Sequence, residues 1–414
     1  MNAGSAPLPA RLVLVVFCPF AAGFFLSFLF RNVTAVIAKD LAGEFSLSPA
    51  ELGLLTSAYF LSFAAMQVPV GVFLDRYGPR RVTAGLLLLA AAGSASFAMA
   101  DGFGTLALSR ALSGIGVSSC LMGSMKAFSM WFPLERMATL NGMAIAAGGL
   151  GGLAATMPIE AGAGAWGWRA MFWLLAALCV ACAAYIATVV PEKPLAAARE
   201  AWGEAFRRMG AIFRQPLFWR VGLPLMTVHA NYQSLIGLWL APWAMDVAGL
   251  ERGTAAQWLF AAALGYTISS FAIGVAADQL AARGISRLAI FKTGTFVAIV
   301  ALAGLAWAPA QGKFALVVAY GASAVAPALS YVLLTRHYPP DMTGRVNTSL
   351  NIVMFVSSFS AQWGVGAILR QFPAEAGRYD PRGYAIAFGI LVAVQLLAWL
   401  WLVTLRREPE TYRP

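Results

Sequence analysis

Four basic or titratable side chains interrupt long apolar runs of this chain, and each implies a chemistry. Arg31 lies in FLFRNVTAV, Arg110 in LALSRALSGIG, Lys126 in MGSMKAFSMWF and His229 in PLMTVHANYQSL. A charge inside an apolar span costs about 2.5–3.5 kcal/mol, so it calls for a partner or a wet cavity. Arg31 precedes Lys39, where the next loop begins, by eight residues, or about 12 Å of helix. Arg110 lies at a similar distance below the loop containing Asp101. All eighteen acidic residues fall in loops or at the ends of apolar runs, so no carboxylate is at hand for either guanidinium. A bound anion meets that need, because guanidinium forks match carboxylate, phosphate or sulfonate oxygens. The competing reading of Arg110 is a structural arginine bonded to backbone carbonyls or to a neighbouring helix. For Arg31 it is an interfacial anchor or a pair with a loop acid.

Lys126 is a further candidate contact on the anion's path, against the alternative that it snorkels to the nearby surface. His229 and Gln233 are four apart on one helix face, with Asn231, Tyr232 and Ser234 nearby. His229 is the one intramembrane group whose ordinary proton affinity suits titration near neutrality, which makes it the candidate for proton coupling. The alternative is a hydrogen-bonded packing histidine. Tyr59 completes the candidate binding set. Metal transport through Cys120, Met122, Met125, Met226 and His229 is a weaker reading, since such residues mostly pack. No zinc spacing, nucleotide-binding loop or catalytic constellation occurs, so we expect no metal, no cofactor and no enzyme.

These residues need long apolar helices to position them. Of 414 residues, 60% are hydrophobic and only 11% charged. A soluble protein of this size has no means of hiding so much apolar surface. The net charge of +11 is scattered between apolar runs, which excludes a nucleic-acid footprint. Twelve spans are predicted, at 12–37, 51–74, 82–100, 105–131, 138–160, 168–190, 216–245, 254–279, 288–308, 313–336, 344–370 and 383–405. A polar linker at 191–215 separates an N-terminal bundle (1–190) from a C-terminal one (216–414). Within it the sequence predicts an amphipathic helix lying on the membrane surface. Four cysteines in apolar runs predict free thiols.

Two stretches recur at about half the chain length. GVFLDRYGPRRV at 71–82 is echoed at 274–288, with Gly71 and Asp75 mapping onto Gly274 and Asp278. FPLERMATLN at 132–141 is echoed by YPPDMTGRVN at 338–347. Together they indicate two parallel six-helix halves, which place a substrate site near the midplane between them.

GVFLDRYGPRRV closely resembles the motif joining the second and third helices in the major facilitator superfamily. RALSGIG at 110–116 resembles that superfamily's fourth-helix motif. The resemblance implies an all-α membrane protein with twelve transmembrane helices in two pseudo-symmetric six-helix bundles. It implies transport by alternating access, and a gating role for Asp75, Arg76 and Asp278. The stretch from Phe28 to Phe60, MKAFSMWFP at 125–133 and GWRAMF at 167–172 are similar to the anion:cation symporter branch. That branch implies a small organic anion as cargo, with uptake favoured over export. Its proton-linked members often carry acids where this chain has Phe30 and Val117, which leaves the coupling ion open. An uncoupled facilitator, a drug or siderophore exporter and a membrane-embedded sensor are the alternatives. The expected partners are an anionic solute and the lipid bilayer, with no nucleic acid, and the expected state is a monomer of the inner membrane.

Nineteen of the 29 Lys and Arg residues fall in the segments that are cytoplasmic if the N-terminus is inside, and seven in the outer ones. This bias predicts that both termini are cytoplasmic. Reporter fusions within 31–39 and within 191–216 are therefore expected to read outside and inside respectively. Matching sides would sink the topology.

Overall fold

The computed structural model describes residues 10–133, 136–193, 202–307, 312–339, 342–374 and 378–410. Side chains at a few further helical positions, Asp278 among them, lie outside the described set. Every regular element among the described residues is a helix. The N-terminal helices are α1 (Ala10–Asn32), α2 (Thr34–Glu44), α3 (Pro49–Ala65), α4 (Gln67–Ala98), α5 (Phe103–Trp131), α6 (Thr139–Trp166) and α7 (Trp168–Val189). They are followed by α8 (Trp202–Phe213), α9 (Pro216–Ser234), α10 (Leu240–Asp246) and α11 (Arg252–Ala282). The chain ends with α12 (Arg287–Trp307), α13 (Lys313–Thr335), α14 (Thr343–Leu369) and α15 (Pro381–Val403).

Ten of these helical segments are long and apolar enough to cross a membrane. The two remaining predicted spans are present but interrupted. The span at 51–74 is broken at Met66, and the span at 216–245 passes through a five-residue π-helical turn, Leu235–Trp239. Such turns recur at functional sites, because the extra residue rotates the side chains that follow. Side chains such as Leu108, Leu150 and Leu397 are mostly exposed. Apolar exposure on this scale suits hydrocarbon rather than water.

Local chemistry fixes where helices start and stop. Ser48 and Glu51 form a reciprocal capping box before α3: Ser48 N–H donates to Glu51 Oε2 (2.9 Å) and Glu51 N–H to Ser48 Oγ (3.3 Å). Asp380 caps α15 by accepting from Arg382 N–H at 2.7 Å, with Pro381 in the first turn. Within α4, Gly78 takes φ +81° and Pro79 restarts the helix, which places the predicted corner between two spans at this residue. The predicted end at 160 lies further on, at Trp166, where Gly167 (φ +82°) turns the chain.

The described chain groups into two compact units. One comprises Met1–Val33 and Ala58–Ala201, and the other Thr34–Ser57 and Trp202–Pro414. In the first, α1 packs on α6, and α4 packs on both α5 and α7. In the second, α9 packs on α14, α11 on α13, and α12 on α15. Glycines allow the closest approaches. A Cβ added at Gly151 would overlap the Phe25 carbonyl, and one at Gly116 would overlap the Ala90 backbone.

The amphipathic helix α8 packs one side against protein. Met209 and Ile212 are buried, and Ile212 belongs to the core shared with Phe218, Leu350 and Leu402. Helix α2 and the first part of α3, although N-terminal in sequence, pack with the second unit. There α2 contacts the π-helical turn and α10. The four cysteines are free thiols, with Cys120, Cys179 and Cys182 buried.

Gly78→Ala is expected to lower stability by about 1–2 kcal/mol, since an L-residue is strained at that φ. Gly85→Ala, in the same helix with open space around an added Cβ, is expected to be neutral or stabilising by up to about 1 kcal/mol. Thermal unfolding of the purified protein compares them. Equal shifts would refute the role of the Gly78 corner.

Candidate functional site

Within the first unit, Tyr59 brings the two intramembrane arginines together. It is fully buried on α3 and donates its hydroxyl to the Ser27 carbonyl of α1 at 3.1 Å. Arg31 interacts with the Tyr59 side chain by a hydrogen bond. Its guanidinium also lies 4.4 Å from the Phe28 ring centroid and 5.8 Å from that of Phe63. Arg110, on α5, sits over the face of Tyr59 with Cζ 5.0 Å from the centroid. Its Nη1 donates to the Phe30 carbonyl at 3.0 Å. The two arginines are 6% and 1% exposed, so both charges are taken out of solvent.

Aromatic faces and one carbonyl offer these cations partial relief, since each cation–π contact contributes about 0.5–2 kcal/mol. Among the described residues Arg110 has no carboxylate partner, and its Nε makes no hydrogen bond. The backbone-carbonyl reading of Arg110 is therefore part of the geometry, but it engages only a fraction of the five guanidinium N–H groups. Phe30 and Val117 are fully buried and apolar. One residue beside this cluster escaped the sequence reading. Asn32, 5% exposed, keeps its Oδ1 without a partner. A lone asparagine after an arginine carries no pattern that marks it.

Lys126 stands elsewhere. Its ammonium is ion-paired with Asp75, joining α5 to α4. Both side chains are partly exposed, so the pair contributes about 1 kcal/mol or less. Arg76, next to Asp75, packs over the neighbouring Tyr77 ring at 5.4 Å. The structure thus links one binding candidate to one gating candidate. Asp278 continues the backbone of α11, and its side chain lies outside the described residues.

In the second unit, His229 and Gln233 lie on α9 as the spacing predicts. His229 meets Phe355 edge to face, with centroids 6.0 Å apart. Gln233 is 2% exposed and its Nε2 has no hydrogen-bond partner. Asn231 donates to Gln395 Oε1 at 2.8 Å, tying α9 to α15. Tyr232 stacks on Tyr266 at 4.6 Å and leans on Tyr320, whose buried hydroxyl is unpartnered. This wall is neutral and rich in hydroxyl and amide groups, in contrast to the cationic cluster of the first unit. A cleft of about 480 Å³ among α11, α12 and α13 has a mainly apolar wall that includes Ile273, Ile290 and Val297, and it holds none of these residues. No group of three His, Cys, Asp or Glu among the described residues is arranged to hold a metal ion.

Comparison with known proteins places this geometry. The sequence profile of the Major Facilitator Superfamily matches residues 20–362. A probable sulfoacetate transporter of Cupriavidus necator is 27% identical over 168 residues, which is 41% of this chain and 38% of that protein. A hexuronate transporter of Bacillus subtilis is 27% identical over 46% of this chain and 45% of its own length. The chain thus spans less than half the length of these two relatives. A chloramphenicol resistance protein of Streptomyces lividans is 27% identical over 94% of this chain and 95% of its own. The crystal structure of a D-xylose–proton symporter superposes with a TM-score of 0.78 at 16% identity, covering 97% of this chain and 100% of that one. At that identity the likeness concerns the fold. The first two relatives are named as transporters, and this chain, a multi-pass membrane protein, belongs to the Major Facilitator Superfamily.

Proposed function

We propose that this chain is a secondary transporter of the inner membrane that takes up a small organic anion by alternating access, with both termini cytoplasmic. The observation that carries the reading is Arg110, a guanidinium withdrawn from solvent without a carboxylate partner. Arg31 converges on the same tyrosine. Two like charges beside one ring repel each other, and burial adds a desolvation cost. A carboxylate, sulfonate or similar head between them offsets both costs and engages the remaining guanidinium N–H groups of Arg110. The flanking Phe28, Tyr59 and Phe63 rings keep water out, so that attraction is not diluted. Relatives named for sulfoacetate and hexuronate support an anionic cargo.

A second reading is export of a lipophilic compound. It is favoured by the match to a chloramphenicol resistance protein along nearly the whole chain. In that case the aromatic rings are the binding surface and the arginines are structural. The two readings separate on the arginines. Replacing Arg31 or Arg110 by Ala is expected to lower kcat/KM for uptake of an anion such as galacturonate by about 10–100-fold, the value of hydrogen bonds to a charged group. Arg31→Lys should restore uptake only in part, because an ammonium lacks the planar fork. Purified protein in proteoliposomes, with expression checked, supplies the measurement. Full anion uptake by both Ala variants would refute the anion site. An Arg110→Ala protein that fails to accumulate would make that residue structural.

Coupling falls to His229, since Phe30 and Val117 are apolar. His229→Gln is expected to abolish concentrative, proton-driven uptake while leaving counterflow largely intact. If the Gln variant still concentrates solute, the histidine only packs. Wild-type uptake indifferent to a proton gradient would make this an uncoupled facilitator.

A further inference from the structure

At one end of the second unit two cations converge on the same helix terminus. Arg220 stands near the start of α9 and Lys292 near the start of α12. Both reach the last turn of α15. Arg220 Nε donates to the Trp401 carbonyl at 3.3 Å, and its Nη2 donates to the Thr404 hydroxyl. Lys292 Nζ donates to the Val403 and Leu405 carbonyls at 3.3 and 2.6 Å. Their like charges act on each other. Among the described residues no carboxylate pairs with either.

These bonds satisfy donors without balancing the charge. A helix C-terminus carries about half a negative charge. Two full positive charges face it here, and Arg406 and Arg407, both exposed, follow directly in the chain. Glu408 comes next, and its Oε1 accepts from Leu288 N–H at 3.2 Å at the start of α12. It offsets one of the four charges.

The surroundings are those of a bilayer edge. Helices α12 and α15 are both long and apolar enough to span a membrane, and α15 ends at Val403, so the cations stand where hydrocarbon gives way to headgroups. Phe296, one turn beyond Lys292 on the same face, is 43% exposed. Its ring centroid lies 5.0 Å from that of Trp399. Trp399 Nε1 donates to the Lys292 carbonyl at 2.9 Å, which fixes the indole beside the cation. Trp401, whose carbonyl holds Arg220, is 40% exposed. Unbalanced cations thus adjoin an uncovered aromatic wall. A free anion suits only the first of these features. An amphiphile with an anionic head and an apolar tail suits both. Orientation in the membrane requires only a bias of basic residues over whole loops, and gives no reason for two cations to share one helix end.

We propose that Arg220 and Lys292 form a binding site for an anionic phospholipid. Its phosphate lies against the two cations and its acyl chain lies on Phe296 and Trp401. Bound there, the lipid ties α9, α12 and α15 together at this end of the second unit. Each cation near a bilayer surface adds to the attraction for anionic lipid, and basic pockets between spanning helices hold such headgroups. The proposal does not rest on what the protein carries, and its test uses no cargo.

Native mass spectrometry of the full-length protein in detergent, titrated with phosphatidylglycerol, phosphatidylcholine or inorganic phosphate, supplies the test. The first phosphatidylglycerol is expected to bind about 10-fold more tightly than the first phosphatidylcholine. Arg220→Gln and Lys292→Gln should each weaken it about fivefold, and the double variant about 30-fold. Glutamine keeps a donor for the end of α15, so the loss reports charge. Arg80→Gln with Arg81→Gln, whose charges meet Glu192 in the first unit, should leave the affinity within about twofold. Equal binding of the two lipids, an unchanged affinity in the double variant, or displacement of the lipid by millimolar phosphate would each overturn the proposal. Hydrogen–deuterium exchange of the wild type locates the lipid even if the double variant fails to accumulate. At ten times its Kd, phosphatidylglycerol is expected to slow exchange about 10-fold in peptides covering 287–296 and 399–408, with phosphatidylcholine without effect. Protection confined to other peptides would equally overturn it.

Discussion

A guanidinium shut away from water must be met by something, and the first unit is arranged around meeting Arg110. The Phe30 carbonyl, just before the chain passes from α1 to α2, takes one N–H. The Tyr59 ring takes the face of the cation. Tyr59 is itself fixed by the Ser27 carbonyl, so α1, α3 and α5 share one polar node inside an apolar bundle. Glycines then set the spacing. Gly114 admits Tyr59's own backbone, and Gly116 admits Ala90. Larger residues at either position would push α5 away and leave the arginine without its carbonyl.

The same constraint acts differently in the second unit. There the polar groups of α9 are neutral and pair across helices, as Asn231 does with Gln395. Neutral amides and hydroxyls cost less to bury than a charge, which is why this wall tolerates unpartnered atoms on Gln233 and Tyr320. Charges in this unit gather at helix ends, where Asp246 and Lys39, and Asp40 and Arg252, neutralise one another. The motif pair Asp75–Lys126 follows the same rule at a helix end of the first unit.

Movement has natural places to occur. The π-helical turn at Leu235–Trp239 and the irregular joint around Ser118 and Ser119 interrupt helices that carry candidate site residues. At Leu235–Trp239 the usual ladder of backbone bonds is already displaced, so a bend there costs less than in a regular helix.

Much of this was legible in the sequence. Apolar runs of spanning length, the halved repeat and the motif around Asp75 define the fold class, because a span's composition reports its environment directly. Arg31, Arg110 and His229 stand out for the same reason, as charged or titratable groups in runs that otherwise exclude them. Chemistry that depends on distant partners was not legible. Nothing in the sequence pairs Lys126 with Asp75 or directs Lys39 to Asp246, since each pair joins different helices. The sequence assigns Asp246 to a helix end and so to solvent. Only packing against Tyr379, Tyr384 and Lys39 buries it. The linker helix α8 is a parallel case: its amphipathic pattern announced an apolar face, but the tertiary structure decided that a protein core covers it. Composition along one chain records what each segment must avoid. Which groups meet is decided by the approach of helices far apart in sequence.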